Sequence, residues 1–123
     1  MTGEELLAHA DEASRKAYAP YSSYLVGCAL LLKDGRVVTG CNVENAAYPL
    51  GVCAERTAIA KAASDGVRPG EIEAAAINAS PCGGCRQWLH EWKVERVWFR
   101  REDGSIAEYA PAGALLPDTW NLP

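Results

Sequence analysis

The chain has 123 residues, 49% of them apolar and 23% charged, which excludes disorder as the main state and allows one sizeable core but no second domain. Twelve Lys and Arg stand against sixteen Asp and Glu, and the resulting net charge of −4 argues against a polynucleotide as the main partner. No apolar run approaches the roughly 18 residues a membrane span needs, and the acidic, amphipathic start is not an export signal, so a single domain over residues 1–123 in the cytoplasm is expected.

Residues 2–18 predict a helix, with Leu6, Leu7, Ala10, Ala13 and Ala17 near one stripe, Thr2 and Glu5 as a capping box and Pro20 as the stop. Strands are predicted at 24–32 and 36–41 around the turn Lys33-Asp34-Gly35. Residues 42–52, with Asn, Pro and Gly, read as loop. An Ala-rich helix follows from Cys53 to Ser64 and ends near Gly66. Then come a strand over 71–78, a turn into a short helix from Cys85 to about Trp92, strands over 94–100 and 105–109, and a helical turn at 112–116. Helices interleaved with strands argue for a layered α/β domain. The short turns make antiparallel pairs, and the helical links make parallel crossovers, so a mixed five-stranded sheet is expected.

Five cysteines need an account: Cys28, Cys41, Cys53, Cys82 and Cys85. The number is odd, and a cytoplasmic chain keeps its thiols reduced, so a disulfide framework is disfavoured. Cys28 inside an apolar strand and Cys41 at a strand end read as small buried hydrophobes. Pro81-Cys82-Gly83-Gly84-Cys85 holds a C-x-x-C pair, which alone fits half a zinc site, a redox dithiol or two unrelated thiols. Cys53 also opens a helix, and a helix N-terminus stabilises the thiolate that zinc requires. Arg56 and Arg86, within a turn of those helix starts, are placed to offset the remaining negative charge.

Glu55 follows Cys53 by two positions. Residues two apart on a regular helix point about 200° apart, so both face one metal only if Cys53 is the N-cap or precedes it. Three thiolates with an open position make the catalytic pattern of zinc, and a neighbouring carboxylate supplies the base.

Cys53-Ala54-Glu55 with Pro81-Cys82-Gly83-Gly84-Cys85-Arg86-Gln87 resembles the zinc nucleoside deaminase signature in its all-cysteine form. Tyr18-Ala19-Pro20-Tyr21-Ser22, Val26-Gly27, the stretch Gly40 to Tyr48, Ala54 to Ala58 and Leu115-Leu116-Pro117 match the small tetrameric cytidine deaminases in order, over about residues 4–120. The resemblance implies a three-layer α/β fold with helices on both faces of the sheet. It implies one zinc per subunit, held by Cys53, Cys82 and Cys85, and Glu55 as the group that moves protons during attack of water on C4 of cytosine. Asn42 and Glu44 match the ribose-binding pair. Ala46 and Tyr48 match positions contributed across a subunit boundary. Tyr24 stands where the family usually has Phe near the base, and Trp120 where it commonly has a Phe reaching a neighbour's site. The tail Asp118 to Pro123 departs from the family text, and the stretch before Pro81 is shorter than usual, which would reshape the rim of the pocket.

The expected activity is therefore hydrolytic deamination of cytidine and 2′-deoxycytidine in pyrimidine salvage, by a homotetramer with interfacial sites. The rival enzyme is a deaminase of a modified nucleoside of the blasticidin S type. A zinc-stabilised binding protein and a dithiol redox protein are rivals from other classes. His9, His90, Trp88, Trp92 and the Arg100-Arg101 pair read as surface, packing or subunit-contact residues.

Overall fold

The computed structural model describes residues 1–122. Helix α1 (Gly3–Ser14) starts at the predicted capping box: Glu5 N donates to Thr2 Oγ1 at 3.1 Å, and Thr2 N donates to Glu5 Oε1 at 3.2 Å. It ends at Ser14, short of the predicted residue 18. The chain is needed elsewhere: Tyr18 N donates to Asn42 O at 3.0 Å and Tyr18 O accepts from Glu44 N at 2.8 Å. A residue paired that way cannot continue a helix.

Strands β1 (Gly27–Leu32) and β2 (Val37–Cys41) form the predicted hairpin. Helix α2 (Ala54–Ser64), strand β3 (Ile72–Ile77), helix α3 (Gly83–Glu91) and strands β4 (Arg96–Arg100) and β5 (Ile106–Tyr109) follow, with 3-10 turns at Tyr48–Leu50 and Ala112–Leu115. The sheet order is β2-β1-β3-β4-β5. Only β3 and β4 pair in parallel; the other neighbours are antiparallel. The α2 connection therefore runs from β2 over β1 to β3, and the α3 connection joins adjacent parallel strands. Both crossovers bring a helix N-terminus to the same end of the sheet, where α/β folds place their ligands.

Three layers result. Leu6, Leu7 and Ala10 of α1 pack on Ala29, Leu31, Ala74 and Ala76. Ala58, Ile59 and Ala62 of α2 and Leu89 of α3 pack on Cys28, Leu30, Ala75 and Ile77 across the other face. Alternate residues of β1 serve opposite layers, so all six are buried. Each fully buried leucine contributes about 2 kcal/mol. The alanines of β3 are poor strand formers, yet burial on both faces holds them in the sheet. Cys28 is buried as expected; Cys41 is only half-buried, because β2 is an edge strand.

Two glycines set how tightly the layers meet. A Cβ on Gly27 would lie 2.0 Å from Ala10 O, and one on Gly40 2.5 Å from Ala58 N. The backbone of α1 thus rests on β1, and that of α2 on β2. Gly40→Ala is expected to lower stability by about 1–3 kcal/mol, because neither backbone has room to move aside. Chemical denaturation of both proteins checks this, and an unchanged midpoint would refute it. Among the described residues, no helix is long and apolar enough to cross a membrane.

Candidate active site

Cys53 is the N-cap of α2, in extended conformation, and its side chain makes no capping bond. The apparent conflict between Cys53 and Glu55 is removed, since Cys53 lies outside the helix and Glu55 is its second residue. Helix α3 begins at Gly83 and not at Cys85. Its N-cap is Cys82, whose Sγ accepts from Cys85 N at 3.4 Å, and Cys85 sits buried in the first turn. The C-x-x-C spacing thus places one thiol at the cap and the next within reach of it.

The sulfurs of Cys53, Cys82 and Cys85 all lie within 4.8 Å of one another, with Cys53 and Cys82 at 3.9 Å. Thiolates bound tetrahedrally at about 2.3 Å from zinc stand about 3.8 Å apart, so the trio fits that ion. Among the described residues no fourth His, Cys or carboxylate joins the group, which leaves a coordination position open. The surroundings favour the thiolate at Cys53 and not at Cys85. Cys53 is lowered to about 6, first by a hydrogen bond from Cys85, then by Cys82 and the Arg56 charge. Cys85 is pushed up, first by giving that hydrogen bond and then by its burial.

The Nη2 of Arg56 lies 3.8 Å from Cys82 Sγ. The bare backbone of Gly84 makes room for it, since a Cβ there would meet Nη2 at 2.3 Å. Arg86 does not share this task. Its Nε donates to Pro81 O at 2.9 Å, Nη1 to Leu115 O at 3.0 Å and Nη2 to Ser80 Oγ at 3.2 Å. It ties the loop before α3 to the C-terminal segment, because a residue in the first turn of a helix, here the fourth, turns its side chain back along the chain.

Glu55 is 3% exposed. Burial pushes its carboxyl up to about 6. A carboxyl poised near neutrality both accepts and returns protons. Cys28 is held neutral, by its own burial and then by the Glu55 charge.

A cavity of about 310 Å³ opens in front of these groups. Its lining joins Cys53, Ala54 and Glu55 at the start of α2 and Ala79, Ser80 and Cys82 before α3 to Ser22, Tyr24 and Val26 before β1 and Asn42, Glu44 and Tyr48 after β2. The size is at the low end for small-molecule sites, about 300–1,000 Å³. Tyr48 lines the cavity of its own chain. Ala46 is exposed and does not line it. Trp120 lies away from it, on α3, where its carbonyl accepts from Gln87 Nε2 at 3.2 Å.

Asn42 and Glu44 have a structural task that their sequence context did not disclose. Asn42 Oδ1 accepts from Val26 N at 2.9 Å, and Asn42 Nδ2 donates to Tyr24 O at 2.9 Å. Glu44 Oε1 accepts from Tyr21 N at 3.0 Å and Ser22 N at 3.2 Å, and Oε2 accepts from the Ser22 hydroxyl. These bonds hold Glu44 below the usual carboxylate range, the Ser22 hydroxyl foremost. Asn42 keeps one donor and one acceptor free, and Glu44 keeps acceptor capacity. Ser22, Ala79 and Ser80 carried no sequence signal as cavity residues; only their folded positions bring them in.

The pattern for the cytidine and deoxycytidylate deaminase zinc-binding region matches residues 1–101. A protein of Sporosarcina psychrophila named cytidine deaminase is 48% identical, over 98% of this chain and 93% of that one. One of the same name from Halalkalibacterium halodurans is 47% identical, over 98% of this chain and 95% of that one. The crystal structure of a cytidine deaminase from Burkholderia pseudomallei superimposes with a TM-score of 0.90 at 44% identity, over 98% of this chain and 100% of that one.

Proposed function

Because the chain belongs to the cytidine and deoxycytidylate deaminase family, we propose that it converts cytidine and 2′-deoxycytidine to uridine and 2′-deoxyuridine with release of ammonia. The observation that carries this reading is the buried Glu55 carboxyl, which lines one cavity together with Cys53 and Cys82, two of three convergent cysteines. Cys53, Cys82 and Cys85 would hold the zinc, which when bound supplies a Lewis acid that eases deprotonation of water.

Glu55 does the proton work. It takes a proton from the attacking water as the C4–O bond forms, and passes that proton to N3 of the pyrimidine. It then moves the second proton to the amino nitrogen. The C4–N bond breaks, ammonia leaves and the C4 carbonyl forms. One carboxylate makes both transfers when it lies between water and ring. Arg56 offsets the surplus negative charge of the thiolates. Asn42 and Glu44, with their spare donor and acceptors, take the sugar hydroxyls, and Tyr24 packs on the base side. Residues 1–123 act as one catalytic domain.

A homotetramer with interfacial sites is the working form in this reading. It is supported by large apolar side chains exposed near the cavity, among them Tyr48 at 83% and Leu50 at 68%. Ala46 and Trp120, which stand off their own chain's cavity, would serve a neighbour's. Pyrimidine salvage in the cytoplasm suits a nucleoside substrate and reduced thiols.

The test follows cytidine absorbance and ammonia release on purified protein of known zinc content. Loss of absorbance with stoichiometric ammonia and about one zinc per chain is the expected result. No turnover of cytidine at full zinc content would overturn the assignment, above all if blasticidin S were consumed instead.

A further inference from the structure

Two asparagines follow the two strands that flank β1, Asn42 after β2 and Asn78 after β3. Their carboxamides extend the sheet beside its last backbone bonds, one of which Asn42 N donates to Val26 O at 3.1 Å. From one side, Asn42 holds Val26 N and Tyr24 O. From the other, Asn78 Oδ1 accepts from Gly27 N at 2.9 Å, Asn78 Nδ2 donates to Leu25 O at 3.3 Å, and Asn78 N donates to Gly27 O at 3.3 Å. A carboxamide carries the donor and acceptor of a peptide group, so each asparagine adds a rung to the sheet.

The segment held between them is functional surface. Tyr24 and Val26 line the same cavity as Glu55, Cys53 and Cys82. Asn42 lines the cavity too, but Asn78 does not. Asn78 heads the connection Asn78-Ala79-Ser80 from β3 to Pro81, whose next two residues form another side of the cavity. One side chain thus joins two walls of the same site.

We propose that Asn78 is a positioning residue for the substrate, which sets the wall of Tyr24 and Val26 at its distance from Glu55 and thereby the affinity for the nucleoside. The proposal rests on the deaminase reading. Without the carboxamide, Gly27 N and Leu25 O lose their partners, and the segment keeps the backbone bond from Asn78 N to Gly27 O on that side and the bonds of Asn42 on the other. Wall contacts are made equally by bound substrate and transition state, so their loss acts on KM and leaves kcat in place.

Asn78→Ala is expected to raise KM for cytidine about tenfold, with kcat within about twofold of wild type and an unchanged zinc content. Amide exchange should quicken in the peptide covering residues 20–27 and stay slow in the first turns of α2 and α3. Asn78→Asp is a second variant that keeps the acceptor for Gly27 N and turns an acceptor toward Leu25 O. It should raise KM in the same way even if the alanine protein folds poorly. Unchanged KM in the folded variants, with only the melting temperature lowered, would overturn the proposal. So would a joint fall of kcat and zinc. A wild type that neither binds nor turns over cytidine rejects the deaminase reading, and this proposal with it. An active wild type with unchanged KM in the variants rejects the proposal alone.

Discussion

Glu55→Gln is expected to cut cytidine turnover by about 10⁴-fold, the upper end of what a general acid–base group contributes, because the same carboxyl makes both proton transfers. The substitution keeps the shape of the side chain and removes only its ability to carry a proton. Glu55 makes no metal bond in this reading, so zinc content should stay at the wild-type level. Folding should not suffer either. The carboxyl is 3% exposed and its pKa is raised by burial, so its charge is a burden on the folded state. A neutral amide removes that burden, and the metal-free variant should melt no lower than the wild-type apoprotein. The checks are kcat, zinc content and thermal unfolding on the same preparations. Turnover within tenfold of wild type would remove Glu55 from the mechanism. A loss of activity that follows loss of zinc would make it a structural residue.

Cys82→Ala should have the second large effect, and a different one. It removes one of three sulfurs from the cluster, the N-cap of α3 and the partner of Arg56 together. Zinc content after dialysis against a chelator should fall at least about tenfold, and activity should fall with it. The lost cap should cost about 1 kcal/mol in addition. Cys28→Ala is the contrast. That thiol is fully buried in the apolar core and outside the cluster, so its loss should leave zinc in place and cost about 1 kcal/mol through a small cavity. Metal analysis of the two variants separates a ligand from a core residue. Full zinc in Cys82→Ala would refute its place in the site.

Much of this was open to a reading of residues alone, where the determinants are local. The capping box of Thr2 and Glu5 lies within four residues, and so does the β1–β2 turn. A helix start at a cysteine was foreseeable because N-caps and first turns obey short-range rules. Cys82 and Cys85 meet through one helix turn. The α/β order of elements and their crossovers followed from hydrophobic period and the lengths of the links.

Other features were decided by contacts distant in sequence. Strand β1 starts at Gly27 and not at residue 24, because the side chains of Asn42 and Asn78 take over the pairing of residues 24–27. Helix α1 stops early because Tyr18 is claimed by residues 42 and 44. Arg86 belongs to Pro81, Ser80 and Leu115, 29 positions away in the last case, and not to the sulfurs.

Residue types and short spacings specified the chemistry: three thiols, a carboxyl and the helix starts that present them. The closing of Cys53 onto Cys82, 29 residues apart, and the burial of Glu55 came only with the stacking of α2 and α3 on one face of the sheet. Local sequence determines which groups a chain offers and how it turns over a few residues. Their mutual distance and their removal from water depend on packing between segments far apart, where hydrogen bonds and apolar burial from the whole sheet outweigh local preference.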